Sequence, residues 1–450
     1  MAAMSHHDAN SDSGREALRA LTAKLVACRE HPGADLAMFR STRKRTIPMP
    51  LHGSHVCSGR VIVTGGSGCV GQAMLGGLRD AGAARLVSLA RHPPSRARRV
   101  PDVEYRCADV RDGEAIARVF REVRPEVVVH LAAQRDPGRA EREVVRTVST
   151  NVLGAITVLD AAGAAGVPSV AVASTGKAIR YFTRDVYAAT KKLTEYVTAR
   201  AAARWGYAAS CARFTHVVDN SLVFARLRRW VRQQAPVQLH GPDVVFHIQS
   251  ALECHQLLTI SAGTATPGKA NVVALKDLGW PPINLLGLAL DVVDDAAVPA
   301  MIAFTGFPPG YEQDHYPGTY DPLTAGDVTP LFNALEARLA RASCLNPSVD
   351  EFVMPEERYT VLDEALTVIT ELYLRRAGVQ AIRKALEAAS MALLDLTLDR
   401  GSREALERVY RLGAVSAPGA GDHWTVHARV ADALARDRDL NDWCRAPVAS

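Results

Sequence analysis

A glycine-rich turn, "VTGGSGCVG", follows a short run of β-branched residues near position 60 and most limits what this chain can fold into. Gly65, Gly68 and Gly71 recur at every third position, and a helical segment, "GQAMLGGLRDAG", overlaps the end of the turn. A strand end, a glycine turn and a helix N-terminus together form an anion site, because backbone N–H groups point outward and the helix dipole favours negative charge. The spacing predicts that a dinucleotide pyrophosphate binds here.

Short apolar runs and longer helical segments alternate from this turn onward. The predicted strands are "RVIVT", "RLVSLA", "VEYRC", "VVVHL", "SVAVAS" and "SCARF", and one of the intervening helical stretches is "DGEAIARVFREV". Apolar strands that alternate with helices form a parallel sheet covered on both faces. We therefore expect an α/β fold, a Rossmann-type doubly wound parallel sheet, with a small substrate-binding region and an added helical C-terminal segment.

Changes in composition divide the chain into four predicted regions. These are an N-terminal arm over 1–57, a dinucleotide-binding domain over 58–235, an interleaved substrate-binding region over 236–325 and a helical extension over 326–450. The arm holds one amphipathic candidate, "SGREALRALTAKLVACREH", and a basic patch over 43–45, so a solvated extension and a partner contact are both open. In the extension, segments such as "TVLDEALTVITELYLRRAG" repeat apolar residues at helical spacing.

Composition excludes several classes of function. The net charge of +5 is small for 450 residues, so no nucleic-acid partner is indicated. The sequence has neither an uninterrupted apolar stretch long enough to span a bilayer nor an apolar signal core, so we expect a cytoplasmic protein without a membrane partner. The eight cysteines form no C-x-x-C pair, and no metal site is predicted.

The residues after the second predicted strand favour NADP(H) over NAD(H). An acid at this place accepts hydrogen bonds from the ribose 2′-hydroxyl of NAD(H), whereas a basic residue meets the 2′-phosphate of NADP(H). Here the strand ends at Arg91, and Arg96 and Arg98 follow shortly after, with no acid between. Asp109 follows the third strand, where the adenine edge is expected to lie.

The segment "ASTGKAIRYFTRDVYAATKK" carries the predicted chemistry. Tyr187 and Lys191 are four residues apart, so they share one helix face. An ammonium near a phenol lowers the phenol pKa, which makes Tyr187 a usable acid and base for hydride transfer between an alcohol and a ketone. Ser174 and Thr175 end the fifth strand, and either hydroxyl can hold the reacting oxygen. A plain helix surface is the alternative interpretation of the Tyr-x-x-x-Lys pair.

Seven motifs in order resemble the extended short-chain dehydrogenase/reductases, and among them the capsule polysaccharide-type nucleotide-sugar dehydratases and epimerases. The motifs are "TGGSGCVG", "ADVRD", "VVVHLAAQ", "STNVLG", "STGKA", "YAATK" and "RFTHVV". The resemblance spans about 60–220 and implies oxidoreductive roles for Thr175, Tyr187 and Lys191, a base at Lys177, and a cofactor phosphate at Arg91. The predicted catalytic residues are Thr175, Tyr187, Lys191, Lys177 and Ser174. The predicted cofactor contacts are Gly65, Gly68, Cys69, Val70, Gly71, Arg91, Asp109, Val110, Leu131, Ala132, Ala133, Asn151, Tyr187 and Lys191.

Two departures from that family change the expected reaction. Dehydratase members have an aspartate that protonates the departing hydroxyl where this chain has Gly176, so oxidation followed by epimerisation or reduction is favoured over dehydration. The family's "dpdmtR" and "GlRPGEK" elements read "GPDVVFHIQ" and "GFPPGYEQ" here, with Pro308, Tyr311 and Glu312 in place of the charged residues of the second element. An ordinary UDP-sugar then needs other contacts, for which Arg226, Arg228 and Arg229 are candidates; a solvated helix face explains these arginines equally well.

Two functional hypotheses follow. The favoured one is an NADP(H)-dependent enzyme, expected to be a homodimer, that acts on a small sugar-like alcohol, with 4,6-dehydration of a nucleotide sugar as the close alternative. The other is a non-catalytic member that binds the cofactor and serves as a scaffold or redox sensor. The intact Thr175, Tyr187 and Lys191 favour the enzyme.

Overall fold

The computed structural model describes residues 11–49, 58–279, 282–311, 326–355, 360–415 and 422–436. The chain divides into two compact units, and each draws on separated parts of the sequence. The first comprises Met1–Ile47, Phe214–Gln256 and Asp277–Glu312, and the second comprises Pro48–Arg213, Leu257–Lys276 and Gln313–Ser450.

The second unit is built on a nine-stranded sheet with the strand order β14-β15-β11-β6-β5-β4-β1-β2-β3. Its strands are β1 (Arg60–Thr64), β2 (Arg85–Ala90), β3 (Glu104–Cys107), β4 (Val127–His130), β5 (Ser169–Thr175), β6 (Ala208–Phe214), β11 (Ala270–Leu275), β14 (Arg341–Ala342) and β15 (Val349–Val353). β1 pairs in parallel with β2 and β4, β4 with β5, and β11 with β6. The sequence prediction of a doubly wound parallel sheet is confirmed, and the sheet is mostly parallel because β14 and β15 join it antiparallel.

Helices join the parallel strands and cover the sheet. They are α3 (Cys69–Asp80), α4 (Gly113–Val123), α5 (Pro137–Arg142), α6 (Val144–Val148), α7 (Gly154–Ala164), α8 (Val186–Trp205) and α10 (Ala251–Thr264), of which the last begins in the first unit. Their ends follow from local chemistry. The Asp112 carboxylate accepts a hydrogen bond from the Ala115 N–H, 3.0 Å away, and caps α4, and Asp185 caps α8 in the same way. α8 stops at Gly206, whose φ of +78° lies in the left-handed region.

The crevice of the sheet lies where the strand order reverses. β1 stands between β2, which follows it in sequence, and β4, which lies on its other side. The chain crosses from one face of the sheet to the other at this point, so the loops at the carboxyl ends of β1 and β4 separate and leave room for a ligand.

In the first unit, the N-terminal helices form part of the core. α1 (Asp12–Ala27) and α2 (Ala34–Thr42) pack with α9 (Leu222–Arg232) and α11 (Leu285–Ala296). Leu18 and Phe39 are fully buried in this cluster, and the Asp291 carboxylate accepts hydrogen bonds from the backbone of Gly33 and Leu36 at 2.8 and 3.0 Å. The structure thus differs from the predicted arm, because the apolar face of α1 is covered by segments distant in sequence. The short strands of this unit are β7 (His216–Val217), β8 (Val237–Leu239), β9 (Val245–Phe246), β10 (Ile248–Gln249), β12 (Ile283–Asn284) and β13 (Ile302–Phe304).

The C-terminal part combines two strands with four described helices. β15 pairs antiparallel with β11, and β14 pairs antiparallel with β15. The helices are α12 (Thr360–Leu374), α13 (Val379–Leu398), α14 (Arg403–Val415) and α15 (Asp422–Arg436). Tyr181 and Phe182, in the segment before α8, are fully buried in a cluster with apolar residues of α13, α14 and α15. The predicted helical extension is present, and its chain also adds two strands to the sheet.

One helical run in the described residues, Val144–Ala164, has the length and apolar composition needed to cross a membrane. It comprises α6, a π-helical turn at Ser149–Leu153 and α7. Just over half of its most apolar window is buried, and α7 packs between α4 and α8. Packing against these two helices accounts for its apolar composition.

Candidate active site

The glycine turn between β1 and α3 is shaped by close backbone approaches. Gly65 has a φ of +73°, and a Cβ atom there would lie 2.7 Å from the backbone nitrogen of Ala132. A Cβ atom on Gly71 would lie 2.5 Å from the Gly65 carbonyl oxygen. Gly68 is the N-cap of α3 and brings no side chain over the first helical N–H groups. These close backbone approaches form a cradle without side chains at the N-terminus of α3, and the binding of a pyrophosphate there stays a prediction.

A buried polar pair fixes the end of β4 beside this turn. The Thr64 hydroxyl lies 2.8 Å from Nδ1 of His130 and accepts hydrogen bonds from the N–H groups of Leu131 and Ala132 at 3.2 and 3.3 Å. Burial lowers the pKa of His130 to about 3, so the ring is neutral at physiological pH. The predicted contacts 131–133 are thereby held against Gly65. Thr64 and His130 were not identified from the sequence as site residues. Each is a single polar residue at the end of an apolar strand, and that pattern could have indicated them.

Asn151 connects the loop after β4 to helix α8. Its Oδ1 accepts a hydrogen bond from the Gln134 N–H at 2.7 Å, and its Nδ2 donates to the Gln134 carbonyl and the Thr190 hydroxyl at 3.2 and 3.1 Å. The side chain is buried. Asn151 was predicted as a cofactor contact, and these bonds show a side chain that holds the loop after β4 against α8.

The predicted adenosine side of the site lies at the ends of β2 and β3. Arg91 is exposed immediately after β2, and its carbonyl oxygen accepts a hydrogen bond from the Cys107 thiol at 3.1 Å. Asp109 accepts hydrogen bonds from the Arg111 guanidinium, and these bonds lower the pKa of Asp109. Val110, next to it, is buried. The structure thus provides an exposed cation at Arg91 and a fixed carboxylate at Asp109.

The catalytic candidates lie at the carboxyl end of β5 and the start of α8. Tyr187 shares a side-chain hydrogen bond with Thr175, and Lys191 follows it one turn later on the same helix. The Lys191 Nζ donates to the Ala173 carbonyl oxygen at 2.5 Å. Burial lowers the pKa of Lys191 to about 8. The structure therefore brings Thr175, Tyr187 and Lys191 together.

The pKa of Tyr187 shifts in the direction opposite to the sequence expectation. Burial raises the pKa of the phenol, and the hydrogen bond with Thr175 only partly opposes that effect. Lys191, from which the predicted lowering was to come, donates to a backbone carbonyl instead. Tyr187 in this structure is consequently a protonated phenol at neutral pH.

Ser174 and Lys177 have other partners. The Ser174 hydroxyl donates to Oε1 of Glu195 at 2.5 Å in the buried interior, so Thr175 is the strand-end hydroxyl at Tyr187. The Lys177 Nζ donates to Oδ2 of Asp185 at 2.9 Å. Side chains alternate along a strand, which explains why Ser174 and Thr175 point to different sides. Sequence reasoning missed Glu195, although it follows Lys191 at helical spacing.

In the first unit, Arg226 contacts Tyr311. Both terminal nitrogens of the guanidinium lie 3.4 Å from the Tyr311 hydroxyl, and the guanidinium carbon lies 5.8 Å from the ring centre. Tyr311 replaces a charged residue of the family's "GlRPGEK" element, and in this structure it packs against one of the three candidate arginines.

Residues 61–221 match the NAD dependent epimerase/dehydratase family. The chain contains a domain of this family. Its nucleotide turn, the end of β4, the end of β5 and the start of α8 all fall inside the matched range. This confirms the family resemblance that the motifs indicated.

Curated proteins match parts of this chain in sequence, and a solved structure shares its fold. The chain is 25% identical over 209 residues to the probable polysaccharide biosynthesis protein EpsC of Bacillus subtilis (strain 168). This alignment covers 45% of this chain and 34% of that protein. It is 31% identical over 117 residues to the dTDP-L-rhamnose 4-epimerase of Burkholderia thailandensis, which covers 25% of this chain and 32% of the relative. Pen from Bacillus thuringiensis has a similar fold, with a TM-score of 0.54 at 19% identity over 67% of this chain and 89% of the other.

The match to these curated relatives is partial. This chain spans between 32% and 57% of the length of the curated relatives it matches. The helices α12 to α15 lie outside the family range of 61–221. The epimerase/dehydratase domain is thus joined to a C-terminal part that the family match does not cover.

Proposed function

We propose that this protein is an NADP(H)-dependent enzyme that oxidises a secondary alcohol of a nucleotide-linked sugar to a ketone and then epimerises or re-reduces it. The observation that carries the proposal is the grouping of Thr175, Tyr187 and Lys191 at the carboxyl end of β5, in the sheet whose β1 ends in the glycine cradle. A nucleotide-linked sugar is proposed because one relative is named a dTDP-L-rhamnose 4-epimerase and another a polysaccharide biosynthesis protein.

The described residues fit a dinucleotide. The glycine cradle leaves room for a pyrophosphate at the N-terminus of α3, where the helix dipole favours negative charge. Arg91 supports NADP(H), because it is an exposed cation at the end of β2, where an NAD(H) site has an acid. When bound, the nicotinamide supplies hydride acceptance and donation.

The chain's own residues handle the proton. Tyr187 first loses its phenolic proton to solvent, then takes the hydroxyl proton of the substrate as a phenolate, and returns that proton when the ketone is reduced. Thr175 holds the reacting oxygen through its hydroxyl. The Lys191 ammonium lies one helical turn from Tyr187 and favours the phenolate form that arises when the phenol loses its proton.

Epimerisation or reduction is proposed over dehydration because the position after Thr175 is Gly176, which has no acid. Asp185 is the nearest carboxylate along the chain, but it caps α8 and accepts hydrogen bonds from Lys177 and Arg180 at 2.9 and 3.4 Å. Hydrogen bonds from these two cations hold the Asp185 carboxylate in place. A positioned acid contributes about 10²- to 10⁴-fold to a rate, so elimination without one is slow.

Incubation with UDP-glucose, UDP-glucuronic acid and dTDP-glucose, each with NADP⁺ or NAD⁺ in deuterated water, tests this proposal. We expect NMR and mass spectrometry to show an epimer or a reduced product, without a 4-keto-6-deoxy sugar. The Tyr187→Phe protein serves as the control. A 4-keto-6-deoxy product formed at about 1 s⁻¹ or faster would contradict epimerisation as the reaction. No turnover by a folded protein that binds NADP(H) would favour the scaffold.

We further propose a cytoplasmic homodimer, as the sequence predicted. Analytical ultracentrifugation of the full chain tests the dimer, and a single monomer mass over the accessible concentration range would contradict it.

A further inference from the structure

A buried network of charged side chains lies next to β5, the strand that ends at Thr175. The Ser174 hydroxyl donates to Glu195 on α8, and Arg213 on β6 binds both oxygens of Glu195 at 2.9 and 2.8 Å. The opposite edge of the Arg213 guanidinium binds both oxygens of Glu336 at 2.7 and 2.8 Å. Arg213 and Glu195 have side-chain exposures of 1% and 2%, so this ion pair is screened from solvent.

Arg213 is held by more than these carboxylates. Its NH1 also donates to the Leu331 carbonyl at 2.9 Å, and the guanidinium carbon lies 5.8 Å from the ring centres of both Phe332 and Phe352. Two bidentate ion pairs and two aromatic rings fix the plane of the guanidinium. Because Arg213 is fixed, its two hydrogen bonds to Glu195 also hold that carboxylate in place.

Glu195 reaches the catalytic residues in two ways. Through Ser174 it holds the residue next to Thr175 on β5. Along α8 it follows Lys191 by one turn. Burial lowers the pKa of that lysine, and Cys211 and then Glu195 oppose that effect.

The other ionisable groups that face Lys191 are neutral at physiological pH. His130 on β4 is neutral because burial lowers its pKa to about 3, and Cys211 on β6 is a thiol because burial raises its pKa to about 12. Tyr187, on the same helix, is a protonated phenol because burial raises its pKa. Of the two described side chains whose charge raises the pKa of Lys191, Glu195 is therefore the one that is negatively charged at physiological pH.

We propose that Glu195 is a positioning residue for the oxidation step. It binds the Ser174 hydroxyl, so the strand end presents Thr175 to Tyr187, and it places a carboxylate one helical turn from Lys191. The kinetic part of this inference rests on the proposed function, whereas the structural part concerns the charge of Lys191 and does not need a substrate.

Four variants separate the two effects of Glu195. Glu195→Gln removes the charge and keeps the shape. Glu195→Asp keeps the charge and shortens the reach to Ser174. Ser174→Ala removes only the hydroxyl. Glu336→Gln is the matched control, because it also removes one carboxylate from Arg213, whereas the hydrogen bonds of Glu336 within the described ranges go to neither Ser174 nor Lys191.

The primary readout is the pKa of Lys191, followed by NMR of protein labelled with ¹³C at the lysine ε-carbon and assigned with Lys191→Arg. We expect a value near 8 in the natural protein, a fall of about one unit or more in Glu195→Gln, and little change in Glu336→Gln and Ser174→Ala. If Glu195→Gln does not fold, Glu195→Asp and Ser174→Ala are compared, and Glu195→Asp must keep the lysine pKa near that of the natural protein.

The kinetic readout uses whichever nucleotide sugar turns over. We expect Ser174→Ala and Glu195→Asp to lower kcat by about tenfold or more at little change in KM, because a displaced Thr175 hydroxyl affects the reacting oxygen. Equal pKa changes in Glu195→Gln and Glu336→Gln, or normal kcat in Ser174→Ala, would overturn the proposal. If no sugar turns over, the proposed function fails, and the lysine titration still decides the role of Glu195.

Discussion

The glycine turn and the catalytic pair lie at the same edge of one sheet but are built from different chemistry. The turn at Gly65 to Gly71 is made of backbone, and its shape depends on missing side chains. The pair Tyr187 and Lys191 depends on side chains whose properties are set by burial and by partners far apart in sequence. The first can be recognised from a local pattern, whereas the second acquires its chemistry from the packed interior.

Mutations should therefore affect the two regions differently. At the glycine turn, adding a Cβ atom is expected to lower stability, because backbone atoms already occupy the space. At Tyr187, removing the hydroxyl oxygen is expected to lower activity, because the transferred proton is lost with it. The variants Tyr187→Phe and Gly71→Ala test these two expectations directly, and Arg91→Ala and the pH dependence of His130 test the cofactor side and the buried histidine beside the turn. They are given from the largest expected effect to the smallest.

Tyr187→Phe should lower turnover by about 10²- to 10⁴-fold, the usual contribution of a positioned acid and base. The phenyl ring still packs in the buried site, so cofactor binding should remain. Single-turnover kinetics and titration of cofactor fluorescence measure the two quantities. Near-normal turnover would remove Tyr187 from the mechanism and weaken the contrast between the two regions.

Arg91→Ala should weaken the binding of NADP(H) by about 1.5 to 3 kcal/mol, the scale of a hydrogen bond to a charged group. NAD(H) carries no 2′-phosphate, so its affinity should change little and provides the internal control. Isothermal titration of both cofactors checks this. An equal loss for both would show that Arg91 does not discriminate between them.

Gly71→Ala should destabilise the protein by about 1 to 3 kcal/mol, because its Cβ atom would meet the Gly65 carbonyl at 2.5 Å. Gly76, on the same helix, is the matched control, because a Cβ atom there would meet only open space. Gly76→Ala should be neutral or stabilising, since alanine is the better helix former. Urea unfolding of both variants gives the comparison, and similar losses would argue against a close backbone approach.

His130 should make the free energy of unfolding depend on pH. Its pKa is about 3 in the folded protein and near its ordinary value of 6.5 when unfolded, so the unfolded chain binds the extra proton between these values. Stability should therefore fall as the pH drops from 6.5, by at most about 1.4 kcal/mol per pH unit from this group. His130→Gln should show a correspondingly smaller fall in urea unfolding between pH 4 and 6.5. Identical slopes would mean that the ring is not held neutral.

The family fold and its cofactor turn could be predicted because they rest on local rules. Continuous apolar strands alternating with helices indicate a parallel sheet. Glycine at 65 and 71 is required by close backbone approaches, and these are typical of the turn that the spacing predicts. Tyr187 and Lys191 were found for the same reason, since helical spacing alone puts them on one face.

The roles of Ser174 and of the first forty residues were decided by tertiary structure. No local rule separates the Ser174 hydroxyl from that of Thr175; the distinction comes from Glu195, which lies 21 residues further along the chain. Likewise, an amphipathic helix such as α1 shows that it has an apolar face but not what covers it, and here that cover comes from α11.

The sequence by itself determined the sheet class, the glycine turn and the choice of Tyr187 and Lys191 as catalytic candidates, because each depends on spacing along one segment. Tertiary structure alone decided the raised pKa of Tyr187, the pKa of about 8 at Lys191 and the buried ion pairs of Arg213. These depend on desolvation and on charges brought together from distant segments. Both are properties of the folded interior that no local pattern records.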